Sequence, residues 1–403
     1  MPLSQYRVIE TGDLPAAAYA ARILADFGAE VIKLEPAEGD PARRAAPLID
    51  TPDGPIGAPY AFLNAGKRSH IATLTSATLI GADVLITSDP GIDPQALLRT
   101  HPGLVIADIS WFGRTGPYAN FVGSDVVCRA LAGLVHLVGP AEGPPLIAPD
   151  FQALAMGGLA GAIAILAALF ARRRGDAGHA IEVSVHEAAI AYAELNTADA
   201  YVRGAGQQRE GINRFWPTYP VGIYPARDGW LGVSVVTPAQ WQGFCAMLGM
   251  DDLGADPTLV TGLERTPRAA ELEARFLPIL KTRDVADWFA ESLKRRLPIV
   301  PVPDMASNLA NPELRARGAI IPVMAGGRAL AGVGSTLRLT RTKPTASATV
   351  PSLNPAPIPA RPAIAPGKPD GKPFLTGIRI VDLSMGWAGP LASRFMADRK
   401  SVV

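Results

Sequence analysis

Short apolar runs and amphipathic stretches alternate through the first third of the chain. YRVIE (6–10), EVIKLE (30–35), ADVLIT (82–87) and LVIADIS (104–110) read as strands, because near-continuous apolar runs suit strands covered on both faces. The Ala-rich stretch 16–27 and PQALLRTHP (94–102) read as helices. Strands separated by helices predict βαβ crossovers and a parallel sheet. Longer helical patterns cover 122–138 and 151–174, then AIEVSV (180–185) predicts another strand, with a helix from His186.

Near residue 215 the pattern changes. YPVGIYPARDGWLGVSVV predicts a β-hairpin turning at Arg227-Asp228-Gly229, and helical patterns follow at 238–248, 267–280 and 284–295. This predicts a smaller α+β unit after a Rossmann-like α/β unit. Residues 344–373 contain nine prolines among thirty residues, which predicts a semi-rigid linker. The expected organisation is a large domain over 1–205, a small one over 206–318, a return segment over 319–343 and the linker.

Beyond the linker the chain repeats itself. At an offset of 372, Leu3, Arg7, Ala20, Arg22 and Ala25-Asp26 meet Leu375, Arg379, Ala392, Arg394 and Ala397-Asp398. The β-branched or acidic run Val8-Ile9-Glu10 returns as Ile380-Val381-Asp382. Residues 374–403 are therefore expected to start a second copy of a large repeat, in a tandem protein cut off inside that copy.

Composition narrows the field. Of 403 residues, 48% are hydrophobic and 19% charged, which suits a well-buried globular core. With 38 basic and 37 acidic side chains the net charge is +1, so no nucleic-acid surface is expected. Two distant cysteines, Cys128 and Cys245, offer no disulfide framework or zinc site and fit a reducing, cytoplasmic setting. The one membrane-like stretch, 154–170, is rich in Ala and Gly and reads as a core helix, so no membrane association is expected. The turn ETGDLPAA lacks G-x-G-x-x-G, which argues against dinucleotide binding. The five histidines lack metal-ligand spacing, and no G-x-S-x-G elbow occurs.

YRVIETGDLPAAAYAARILADFGAEVIKLEPAEGDPAR, FLNAGKRS, ISWFGRTGPYANFVGSD and RRGDAGHAIEVSVHEAA, in that order, resemble the class III CoA-transferases. YPVGIYPARDGWLGVSV and NPELRARGAI continue the resemblance to about residue 340, and GIRIVDLS…WAGP resembles the family's start again. The resemblance implies a Rossmann-like large domain, a smaller domain and an interlocked homodimer, or an intrachain pseudo-dimer in a tandem protein. It implies transfer of CoA between an acyl-CoA and a carboxylic acid through an aspartyl intermediate. CoA is then a substrate, and no cofactor is expected.

The family's aspartate precedes the Ala/Gly-rich helix in the pattern Asp, three residues, Gly. Counted back from Gly158, that slot falls on Leu154, and the nearest aspartate is Asp150. Asp150 reads either as the nucleophile, brought into place by a local insertion, or as a helix N-cap on a non-catalytic copy. The loop that contacts CoA in the family corresponds to Leu14, Pro15 and Ala16, small but without a polar group. Pro36 replaces a basic residue, and IATLTS and Thr87-Ser88-Asp89 lack family polar groups. Lys67, with Arg68, reads as a surface pair, either solvated or touching phosphate. The acyl-CoA racemase branch uses a Gly-His-Asp setting, here Gly123-Ser124-Asp125, which argues against racemase activity.

Overall fold

The computed structural model describes residues 1–149, 151–335, 337–342, 347–368 and 375–397. The chain divides into two compact units. One comprises Met1–Ala132, Pro149–Ala193 and the chain from Pro312 onward; the other comprises Gly133–Ala148 and Glu194–Asn311.

The larger unit is built on a six-stranded sheet. Its strands are β1 (Arg7–Thr11), β2 (Glu30–Glu35), β5 (Arg68–Ile71), β6 (Val84–Thr87), β7 (Val105–Ser110) and β8 (Ala180–Ser184). Between β2 and β5 lies a small hairpin, β3 (Leu48–Ile49) with β4 (Ile56–Gly57). The sheet order is β5-β2-β1-β6-β7-β8, and every neighbouring pair is parallel. Val8 pairs with Val31 on one side and Val84 on the other, so β1 lies in the interior of the sheet. Val8, Ile9, Leu85, Ile86, Val105 and Ile106 are fully buried, as expected of a parallel sheet covered on both faces. The chain lays β2 and β5 to one side of β1 and β6 to β8 to the other. The order reverses between β1 and β6, and doubly wound sheets open their ligand crevice at the carboxyl end of such a reversal.

Three helices set the site. Pro15 starts α1 (Pro15–Asp26), where its missing N–H costs nothing. Helix α2 (Ala58–Asn64) leads to β5, and α5 (Gln152–Arg173) packs along α1. The Ala/Gly richness of α5 is a packing device. A Cβ at Gly158 would lie 2.8 Å from the Ala16 carbonyl, and one at Gly161 would lie 2.7 Å from Ile109. By length and composition α5 is the one described helix able to cross a membrane, and half of its most apolar window is buried inside the protein. The helical pattern expected over 122–138 shrinks to α4 (Asp125–Leu131), after which glycines at 133 and 139 take positive φ.

The proline-rich segment is docked rather than free. Ile71 N–H donates to the Asn354 carbonyl (2.8 Å), His70 Nδ1 meets the Ala356 carbonyl (2.9 Å), and Arg7 donates to the Pro359 carbonyl (2.7 Å). Farther on, Gly367 N–H donates to the Arg172 carbonyl at 3.0 Å, at the end of α5. Prolines suit a strap beside edge strand β5 because they present no N–H to a further strand.

The smaller unit carries the expected hairpin, β9 (Val221–Pro225) with β10 (Trp230–Ser234), joined by β11 (Ile299–Pro301). Its core gathers Tyr224, Trp241, Phe244, Phe276 and Trp288. Back in the larger unit, a strand pair not foreseen from the pattern, Ile320–Ala325 with Arg328–Val333, closes the return segment. The segment from residue 375 is packed differently from the N-terminal stretch it resembles in sequence. Val381 and Leu383 are 76% and 90% exposed, and the helix Ala388–Ala397 buries none of its residues.

Candidate active site

A cleft of about 610 Å³ opens at the carboxyl end of the sheet, at the reversal between β1 and β6. Its walls are the loop after β1 (Thr11, Gly12, Asp13), the segment after β2 (Pro36, Asp40, Pro41), residues 72–74 after β5, and Asp89, Gly91 and Ile92 after β6. Gly12 is required here. Its φ is +94°, and a Cβ would fall 2.2 Å from Ser88 Oγ, so the loops after β1 and β6 touch.

The positions singled out by sequence distribute unevenly around this cleft. Leu14 is buried as the N-cap of α1. Its N–H donates to Ser88 Oγ (3.2 Å), and its carbonyl accepts from Ala17 and Ala18. Leu14, Pro15 and Ala16 therefore form the packed start of a helix beside the cleft, not its lining. Lys67 is not a surface residue: its ammonium is buried and donates to Glu10 Oε2 (2.6 Å), the Ala18 carbonyl (2.9 Å) and Asn64 Oδ1 (2.9 Å). Three N–H donors meet three internal acceptors, leaving none for a phosphate. A lysine beside a strand end turns inward when a buried carboxylate waits there, and neighbouring Arg68 takes the exposed position.

Asp150 lies outside the described residues. Leu154 sits buried in the first turn of α5, and its N–H donates to Asp125 Oδ1 at 3.1 Å. Asp125 is itself bound by Arg129 Nε at 2.7 Å. The start of α5 is fixed by Phe151, in the left-handed region at φ +76°, whose ring meets Tyr19 and Phe62 edge-on at 5.8 and 6.0 Å. Ser124, in the place of the racemase histidine, caps α4 by accepting from Val127 N–H.

A family model described as CoA-transferase family III matches residues 3–355. The chain belongs to that family. It is 28% identical over 361 residues to the succinate–glutarate CoA-transferase of Agrobacterium fabrum, covering 85% of this chain and 90% of that protein. It is 29% identical over 412 residues to a probable CoA-transferase of Mycobacterium tuberculosis, covering 94% of this chain but 50% of that longer protein. Among solved structures, a CAIB/BAIF family protein from Brucella suis superposes with a TM-score of 0.78 at 26% identity, over 88% of this chain and 97% of that one.

The cleft is anionic. Asp13, Glu35, Asp40 and Asp89 line it, and none of its lining residues is Lys, Arg or His. Two of the four are neutralised from behind. Burial pushes the Glu35 carboxyl up, but Arg43 (2.7 and 2.8 Å), the Asp40 N–H (2.8 Å) and the Tyr60 hydroxyl (2.7 Å) outweigh it and hold it down at about 2. Asp40 pairs with Lys33 at 2.9 Å. Sequence reasoning missed Glu10, Lys33 and Asp40. The available signal was a charged residue inside each apolar strand run, VIE and VIKLE, since a buried charge needs a partner.

Proposed function

We propose that this protein moves CoA from an acyl-CoA to a carboxylic acid through an aspartyl intermediate. The match to the family over residues 3–355, with a cleft open at the sheet reversal, carries that reading. The aspartate carboxylate attacks the acyl carbonyl and expels the CoA thiolate, giving an acyl-aspartyl anhydride. The thiolate then attacks the aspartyl carbonyl and releases the donor acid as its carboxylate. The acceptor carboxylate reverses both steps, so the thioester's energy passes through the enzyme instead of being lost to water. Asp150 is the nucleophile of this reading.

One observation favours a second reading for this copy. Leu154, buried and apolar, occupies the slot of the family aspartate, and Asp150 stands four residues earlier in the sequence. Reacting groups tolerate little displacement. In this reading the copy is the structural half of a tandem, pseudo-dimeric enzyme whose second copy supplies the aspartate. The repeat at residue 375 and the double length of the Mycobacterium tuberculosis relative support it.

Intact-mass measurement after incubation with a panel of acyl-CoAs separates the two. An acyl or CoA adduct lost in Asp150→Ala establishes the chemistry here. The absence of any adduct on this chain, with one on a tandem protein mapping beyond residue 398, assigns it to the second copy.

A further inference from the structure

Beneath the cleft, where β1 and β2 end, a glutamate and two lysines are buried together, and no step of the proposed reaction uses them. Glu10 stands opposite Lys33 in the β1–β2 ladder. Its Oε1 accepts from Lys33 Nζ at 2.9 Å and its Oε2 from Lys67 Nζ at 2.6 Å. Lys33 also donates to the Gly12 carbonyl (3.0 Å) and pairs with Asp40 Oδ2 (2.9 Å). Lys67 also donates to the Ala18 carbonyl and to Asn64 Oδ1, both at 2.9 Å. Two carboxylates balance two ammoniums, and every ammonium N–H has an acceptor.

Desolvating such a cluster is costly, and apolar side chains of similar volume often serve stability as well or better. What the cluster does supply is registry. Besides Glu10 itself, its acceptors belong to four separate segments: the loop after β1, the first turns of α1, the loop after β2 and the end of α2. Gly12 and Asp40 are themselves walls of the cleft. Asp40 passes the constraint on, because its carboxylate accepts from Ala42 N–H (2.7 Å) and its own N–H donates to Glu35 (2.8 Å).

We propose that Glu10 is a positioning residue that, through Lys33 and Lys67, holds the loops 12–14 and 36–41 in the geometry that receives the ligand. The identity of that ligand rests on the CoA-transfer reading; the positioning does not. The charge states agree with this role. Burial would raise the Glu10 carboxyl, but the two ammoniums hold it below its usual range. Burial would lower Lys33, yet Glu10 and Asp40 together raise it. Lys67, with one carboxylate partner and Lys33 nearby, is lowered by burial to about 8.

The test is hydrogen exchange on the full chain with Glu10→Gln, which keeps the side chain's shape and removes its charge. Peptides covering 12–18 and 36–44 should exchange roughly tenfold faster or more, while those covering β6 and β7 keep their protection. Affinity for the probe, free CoA, should fall roughly tenfold or more in parallel. The charge-balanced pair Glu10→Gln/Lys67→Met should recover the urea midpoint but not the CoA affinity. Should Glu10→Gln fail to fold, Asp40→Asn, which weakens one contact of the cluster, is read in the same way. Uniform acceleration across the sheet, no acceleration, or recovery of CoA affinity in the double variant would each overturn the proposal. A wild-type chain that binds no CoA defeats the CoA reading, and the exchange pattern still decides the positioning.

Discussion

The sequence from residue 375 resembles the N-terminal βα stretch, and the two stretches meet opposite fates. Arg7–Thr11 and Pro15–Asp26 lie in the middle of a sheet, with Val8 and Ile9 fully buried and seven residues of the helix buried. In the repeat beginning near residue 375, Val381, Leu383 and Met385 face solvent, and the helix Ala388–Ala397 buries nothing. The two stretches share an apolar run followed by a small-residue helix; their surroundings differ. β1 is held by β2 and β6 through two ladders, and α1 by the glycine face of α5, while, among the described residues, 375–397 belong to no strand ladder. An apolar pattern thus specifies which face an element will bury, and its neighbours decide whether it buries anything.

The largest break in this comparison should come from charge placed at matched positions. Ile9→Asp should cost about 4 kcal/mol or more and unfold the larger unit, because an unpaired carboxylate would enter a fully buried site. The counterpart, Val381→Asp, belongs at the other end of the scale, within about 0.5 kcal/mol. Urea denaturation of both variants tests the pair, and equal losses would show that the repeat is as embedded as the original.

A second, smaller effect probes what holds α1. Gly158→Ala should destabilise by about 1–3 kcal/mol, since the new methyl group would press on the backbone of α1 at Ala16. Thermal melts of this variant and the wild type test it, and an unchanged midpoint would show that α1 and α5 do not need their close approach at Gly158.

A third prediction concerns pH. The Glu35 carboxyl sits near 2 in the folded protein, against an ordinary value of 4.5. A carboxylate depressed on folding stabilises fully above its unfolded value, and that contribution disappears as pH falls from about 4.5 towards 2. The shift corresponds to an upper limit of about 3 kcal/mol. Glu35→Gln should therefore lose most of its stability deficit relative to wild type between pH 5 and pH 2.5, measured as urea midpoints. A deficit that stays constant over this range would mean that Glu35 gains nothing from its ionisation.

Much of the fold was legible because the parallel strands announce themselves as apolar runs. β1, β2, β6 and β7 fall within a residue or two of the stretches that predicted them. β5 was not legible, since RSHI has one aliphatic residue and owes its place to the ladder with β2 and to the strap beside it. The strand pair Ile320–Ala325 and Arg328–Val333 was hidden by alternating burial across short segments. At the site, position along the chain was readable and depth was not. Lys67 looks like surface charge in sequence because the carboxylate that draws it inward is 57 residues away. The proline run was legible as non-helical, though Ala348 and Val350 within it are buried with Tyr60, Ile321 and Val323. Its docking was not, because it depends on carbonyl acceptors presented in the right order to Arg7, His70 and Ile71.

The strap also has a consequence for the order of events at the ribosome. Its partners lie between Arg7 and Arg172, so its contacts with the sheet span about 190 to 350 residues of chain. At about 5–20 residues per second, the edge of β5 waits on the order of 15 seconds to a minute for the segment that covers it. Most of the smaller unit, residues 194–311, is synthesised in one stretch inside that interval and can complete its own core first. During translation, β5 therefore stays an open edge until the strap arrives.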